Sequence, residues 1–178
     1  MTTIRNAIDL DQQVISQIYQ RAFPDHEGKK VAALALDLLT EPTTPPCLSL
    51  VAEVGGNVVG HIAFSPVALT SSDNDHGYIL APLAVEPTYQ KRHLGSQLVE
   101  TSIRYLKNRG VNVLLVYGDP GYYGRFGFQA EVAQTFIPPY PLQYPFGWQG
   151  LMLQADQANN LASQSITCVQ ALCKPELW

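Results

Sequence analysis

Gln90, Lys91, Arg92, His93, Leu94, Gly95 and Ser96 stand between an apolar run that ends at Val85 and a helical pattern that opens at Leu94. A tight loop feeding a helix N-terminus exposes backbone N–H groups that have no intrahelical acceptor, and the helix dipole strengthens their pull on negative charge. Such a joint suits a phosphate or pyrophosphate, with Lys91 and Arg92 adding charge at its rim. A second stretch, Gly118-Asp119-Pro120-Gly121-Tyr122-Tyr123-Gly124-Arg125-Phe126-Gly127-Phe128, sets two tyrosines in a glycine-punctuated turn.

The elements that must hold these stretches can be read from periodicity. A short strand is expected at Thr3 to Ala7. Asp9 followed by Gln12 then reads as a capping box opening a helix, with Val14, Ile15, Ile18, Ala22 and Phe23 on one face and Pro24 as the stop. A second helix is expected from Lys29 to Leu39. Two β-branched runs, Leu48 to Val54 and Val58 to Val67, flank Gly55-Gly56-Asn57, whose residues tolerate positive φ and so predict a hairpin. A polar stretch, Ser71 to His76, leads to a third run, Tyr78 to Val85, completing an antiparallel meander.

Leu94 to Arg109 carries Leu98, Val99, Ile103 and Leu106 on one side and stops at Gly110, a helix with a glycine terminator. Val111 to Tyr117 follows as a buried strand, and the crossover predicts parallel pairing with the strand that ends at Val85. A short helix is expected at Tyr122 to Phe126. A Pro/Tyr-rich loop, Ile137 to Trp148, precedes a last strand at Gly150 to Leu153. No internal repeat or linker divides the chain, which reads as one domain over residues 1–178.

Gln90-Lys91-Arg92-His93-Leu94-Gly95 resembles the acyl-CoA loop of the GNAT superfamily of N-acetyltransferases, Gln/Arg-x-x-Gly-x-Gly/Ala, with His93 in place of the first glycine. The tyrosine stretch is similar to the Phe/Tyr-Tyr-x-x-x-Gly-Phe segment of the same superfamily, and the whole looks most like its bacterial YhbS-like branch. The order of elements matches too; the stretch after Gln154 does not, and the asparagine that many relatives carry before the tyrosine segment has no counterpart in Val116-Tyr117-Gly118-Asp119. The resemblance implies an α/β (α+β) fold with a mixed, largely antiparallel sheet, a splayed strand and flanking helices.

The resemblance also implies roles. Acetyl-CoA is the acyl donor, lying across Gln90, Lys91, Arg92, His93, Leu94, Gly95 and Ser96, with Leu83, Ala84 and Val85 along the pantetheine and acyl group. A backbone amide near Val85 would face the thioester oxygen. Tyr123 aligns with the tyrosine that approaches the sulfur; with reference pKa values near 10 for tyrosine and 8.5 for a thiol, it fits a hydrogen-bond donor to the thiolate better than a full proton donor. Tyr122 is assigned to packing. Glu86, with Glu53 behind it, is the acidic candidate for removing a proton from the attacking amine. Histidine at 93 adds bulk and favours negative φ, though it visits the left-handed region more than most residues; a right-handed backbone there would turn its side chain outward.

Composition narrows the rest. A net charge of −4 and 15% charged residues leave no electrostatic footprint for nucleic acid or an anionic lipid surface, and mildly favour a cationic amine acceptor, small molecule or peptide. Cys47, Cys168 and Cys173 match no zinc or disulfide spacing and read as reduced thiols of a cytoplasmic protein. No apolar run has the length of a signal peptide core or a membrane span. His26, His61 and His76 read as surface or core histidines and Asp73-Asn74-Asp75-His76-Gly77 as a solvated connection, since it lacks the later glutamate of a calcium loop. No metal is expected. Gly28-Lys29-Lys30 is not a phosphate-binding P-loop, and no G-x-S-x-G occurs. A homodimer is compatible with the sequence. The rival reading is a non-catalytic acyl-CoA-binding regulatory domain, and a dinucleotide-binding oxidoreductase lacks its glycine-rich turn after the first strand.

Overall fold

The computed structural model describes residues 1–70, 76–154 and 162–178. The chain is a mixed α/β protein with an eight-stranded, mostly antiparallel sheet. Its strands are β1 (Thr2–Asn6), β2 (Leu48–Val54), β3 (Asn57–Leu69), β4 (His76–Val85), β5 (Val113–Tyr117), β6 (Phe136–Ile137), β7 (Trp148–Met152) and β8 (Gln164–Thr167). Their order is β1-β2-β3-β4-β5-β7, with β8 pairing β3 and β6. The helices are α1 (Gln12–Ala22), α2 (Asp25–Thr40), α3 (Leu94–Asn108), α4 (Pro120–Tyr123) and α5 (Ala130–Ala133). Contacts divide the chain into two compact units, one of Met1–Phe64 with Ala81–Ile103, the other of Ser65–Leu80 with Arg104–Trp178.

In the first unit, β1 and β2 pair antiparallel, and β2 and β3 form the expected hairpin, with Gly55 and Gly56 at φ 57° and 82°. Its core joins Ile15, Ile18 and Tyr19 of α1 to Ala32 and Ala35 of α2 and to Val51 and Ala84 of the sheet. Each large aliphatic side chain so buried contributes about 1.5–3 kcal/mol. Two helix starts differ from expectation. Asp9–Asp11 is a 3₁₀ turn, and it is the Asp11 carboxylate, not Asp9, that accepts the Ile8 N–H, at 2.9 Å, while also binding Arg5. Helix α2 begins at Asp25 rather than Lys29, because Pro24 precedes it and Asp25 and Glu27 complement the dipole of its first turn. Gly28 looks like a breaker but is a contact: a Cβ there would lie 3.0 Å from the Gln20 Cα and 3.2 Å from the Phe23 carbonyl.

In the second unit, β4 and β5 pair in parallel from Gly77–Val113 to Leu80–Val116, as the crossover predicts, and β5 pairs antiparallel with β7. Strand β7 starts at Trp148, two residues earlier than expected, and it is not the last strand. Gln164–Thr167 forms β8, antiparallel to β3 at Ala68 and Leu69 and parallel to β6. Its four residues are too few to stand out from the polar tail around them. The Ser71 to His76 connection and the Asp73-Asn74-Asp75 stretch lie, His76 apart, outside the described residues.

Candidate functional site

In the first unit, β4 runs on for five residues, Ala81–Val85, past the last rung of its ladder with β5. Leu83 and Val85 are half-buried, while the Ala84 side chain is buried in the α1–α2 core, so Ala84 has only its backbone to offer a ligand. Gly60 on β3 lets this strand and α3 come close: a Cβ there would meet Leu98 Cδ1 at 3.2 Å and the Ala84 carbonyl at 3.4 Å. The Glu86 N–H donates to the Val59 carbonyl at 2.8 Å, and a 3₁₀ turn, Pro87–Tyr89, carries the chain to the loop.

Gln90 ties that loop back to the strand, its Nε2 donating to the Val85 carbonyl at 3.1 Å. Lys91 and His93 both take left-handed backbones, φ 61° and 60°. The right-handed alternative for His93 is thus excluded; its side chain is nonetheless exposed, as are Lys91 and Arg92. Left-handed backbone costs an ordinary residue about 1–2 kcal/mol, so the loop holds Lys91 and His93 in this conformation at some expense. From Lys91 to Ser96 the backbone N–H groups have no acceptor among the described residues, and the first helical bond outside α3 proper is Gln97 N–H to the His93 carbonyl. Alternating backbone handedness with unengaged N–H groups makes an anion-binding concavity. Leu94 is buried and anchors the helix start, Gly95 and Ser96 are half-buried, and the Arg92 guanidinium lies 4.9 Å above the Tyr89 ring.

The two acidic candidates differ in setting. Glu86 Oε2 accepts from Arg21 Nη1 at 3.0 Å, and Arg21 Nη2 donates to Gln17 Oε1 at 2.9 Å. Glu53 accepts from Arg5, which also binds Asp11, so its carboxylate belongs to a network that ties β1 and β2 to the start of α1. The guanidinium holds the Asp11 carboxyl below its usual range.

In the second unit, Tyr123 closes α4. Asp119 Oδ1 accepts the Gly121 N–H at 2.9 Å, Pro120 occupies the first turn, and Gly127 ends the segment at φ 94°. The Tyr123 ring meets Tyr122 and Phe128 edge-on, with centroids 5.0 and 5.9 Å away. Burial, with Tyr122 and Asp119 adding to it, pushes its hydroxyl above the usual tyrosine range. Tyr122 packs on Phe126 and under the Arg125 guanidinium. Buried Gln149 donates from Nε2 to the carbonyls of Gly118 and Gly147, and the Tyr117 hydroxyl accepts the Tyr144 N–H at 2.7 Å, which pins the Pro/Tyr-rich loop to the turn.

Residues 13–128 match the model of the acetyltransferase (GNAT) family. The chain belongs to that family. This GNAT chain is 37% identical over 134 residues to the uncharacterized N-acetyltransferase YjhQ of Escherichia coli, covering 74% of this chain and 72% of that protein. It is similar over 97% of its length, with a TM-score of 0.82 and 28% identity, to the YhbS N-acetyltransferase of E. coli crystallised with CoA, 92% of which is covered. A GNAT acetyltransferase of Brucella melitensis in complex with acetyl-CoA matches at TM-score 0.68 and 30% identity, over 96% of this chain and 97% of that one.

Arg21, Gln17 and Gln149 escape a sequence reading of the GNAT chain because polar residues on a helix or strand carry no local signal for a partner far along the chain. His61 is a core histidine: fully buried, with Nδ1 2.8 Å from the Tyr19 hydroxyl and Nε2 2.7 Å from that of Ser49. Burial pulls it down to about 3, so it is neutral. Among the described residues no group of three His, Cys, Asp or Glu side chains could hold a metal, and no helix is long and apolar enough to cross a membrane.

Proposed function

We propose that this protein transfers the acetyl group of acetyl-CoA to a primary amine. The observation that carries the proposal is the loop from Lys91 to Ser96, whose N–H groups have no acceptor among the described residues, at the head of α3. In that reading the N–H groups of Lys91, Arg92, His93, Leu94, Gly95 and Ser96 hold the pyrophosphate, while Gln90 braces the loop against Val85. The pantetheine runs along Leu83, Ala84 and Val85, and a backbone N–H near Val85 faces the thioester oxygen, where one donor can supply about 3 kcal/mol.

The acceptor arrives as an ammonium. Glu86 takes its proton, directly or through one water, and the neutral nitrogen attacks the thioester carbonyl; as the C–S bond breaks, the nitrogen's second proton passes, directly or through water, to the departing sulfur, leaving the amide and the CoA thiol. Tyr123 donates a hydrogen bond to the departing thiolate; its raised pKa suits a donor that keeps its proton. The acceptor is a small-molecule or peptide amine, and the chain's net charge of −4 favours a cationic one.

The test is the thermal midpoint with and without CoA and acetyl-CoA. A ligand at one hundred times its dissociation constant adds about 2.7 kcal/mol, on the order of 5 °C for a chain of this size. A shift of that size supports the donor site; none at millimolar ligand overturns it.

A further inference from the structure

The setting of Glu86 points to a residue that the reaction scheme leaves out. Its backbone is fixed on both sides, by its N–H on the Val59 carbonyl and by its carbonyl, which accepts the Tyr89 N–H at 2.8 Å. Its side chain is held at one oxygen only: Oε2 receives Arg21 Nη1, whereas Oε1 has no partner among the described residues. The Glu86 side chain is 16% exposed and that of Arg21 54% exposed, so the carboxylate is the inner member of the pair and the guanidinium lies over it.

Arg21 is itself braced. Gln17, one helical turn earlier on α1, accepts from Nη2, so two of the three guanidinium nitrogens point along fixed directions. The ring of Phe23, two residues on, stacks on Tyr19 in the core, which fixes the last turn of the helix that carries Arg21. An exposed ion pair adds little to stability. A guanidinium that fixes one carboxylate oxygen does, however, determine where the other lone pairs point.

We infer that Arg21 is a positioning residue: by holding Oε2 it presents Oε1 of Glu86 to the ammonium of the acceptor, and Gln17 supports it in that task. The inference rests on Glu86 as the proton acceptor in the proposed reaction. It names a recognition rule as well, since the group received at Oε1 is a cation that must fit beside an arginine; a lone alkylammonium does so, whereas a second positive charge close to the amine would meet Arg21.

The experiment measures CoA release from acetyl-CoA with n-butylamine, an ammonium at pH 7.5, and with hydroxylamine, mostly neutral at that pH. The variants are Arg21→Ala, Arg21→Lys, Glu86→Gln and the double variant Arg21→Ala/Glu86→Gln. Arg21→Ala should lower kcat/KM for n-butylamine by about tenfold or more, the size of a lost charge-assisted hydrogen bond, with far less effect on hydroxylamine and none on the KM for acetyl-CoA or on the thermal midpoint. Arg21→Lys should recover part of the loss. Because Arg21 acts through Glu86, the double variant should be no slower than Glu86→Gln alone.

Wild-type rates in Arg21→Ala, or losses that multiply in the double variant, would overturn the role of Arg21 while leaving Glu86 in place. Full activity in Glu86→Gln would overturn Glu86 and Arg21 together. If the wild-type protein releases no CoA with n-butylamine above the uncatalysed rate, a lone alkylammonium is not what Oε1 receives and the inference falls.

Discussion

The ring of Tyr123 lies on the Cα of Gly118, so close that a Cβ at position 118 would stand 2.6 Å from Cε2 of the tyrosine. A side chain at 118 and the present position of the ring exclude each other. Gly118→Ala should therefore displace Tyr123 and lower kcat by about tenfold or more, with acetyl-CoA affinity within about threefold of wild type, measured by steady-state kinetics beside calorimetric binding. A variant as fast as wild type would mean that the position of the ring does not matter to the reaction.

Tyr123→Phe should itself lower turnover at saturating acetyl-CoA with little change in CoA affinity. Burial raises the hydroxyl above the usual tyrosine range, so it stays protonated to about pH 10 and beyond. The alkaline limbs of kcat against pH should then run parallel in the two proteins up to that pH. A limb below pH 10 that vanishes in the variant would show the tyrosine ionising in the working range.

The left-handed backbone at His93 yields a separate expectation. His93→Gly relieves the steric cost of that conformation but frees the unfolded chain, so the net gain in stability should be under about 1 kcal/mol. The loop shape is already the one that glycine would adopt. The calorimetric Kd for CoA should accordingly move by less than about tenfold, and a larger gain in affinity would identify the imidazole as an obstruction.

Acid should act on two groups in two windows. His61 has a folded pKa near 3 against an ordinary 6.5, so the unfolded chain takes up the proton first. Stability from this group is complete above pH 6.5 and falls by up to about 1.4 kcal/mol per pH unit as pH drops toward 3. Asp11 is lowered by Arg5, so its contribution is present above its unfolded value of 3.8 and is lost below it. Denaturant melts from pH 7 to 3 should show His61→Gln flattening the profile from pH 6.5 downward and Asp11→Asn flattening it only below about pH 4. Equal slopes in wild type and His61→Gln would mean that the buried ring is not the neutral form.

Much of this was legible beforehand because it is written locally. Gly55-Gly56 marks the hairpin, Gly110 ends α3 at φ 78°, and the unbroken apolar run Val113–Val116 announces a doubly buried strand with a parallel neighbour. The family pattern singled out the loop and Tyr123 as candidates for the site. What stayed hidden is long-range. Glu86 meets Arg21 sixty-five residues earlier, Gln149 meets Gly118, and His61 meets Tyr19 and Ser49, none of which a window of sequence can pair. Strand β8 owes its existence to two partners, not to its own propensity. The start of α2 was masked by Gly28, whose absent side chain serves the neighbouring helix.

Trp178 stacks on Tyr117 at 6.4 Å and meets Trp148 edge-on at 5.9 Å, and these are the only two tryptophans in the chain. Both belong to the unit that carries Tyr123; the unit that holds His61, Arg21 and the Gln90–Ser96 loop has none. Intrinsic fluorescence excited at the red edge of the indole band is thus a reporter of one half of the molecule and blind to the other. A melt followed in that light alone would miss loosening around the loop, whereas far-ultraviolet dichroism, dominated there by α1 and α2, would register it.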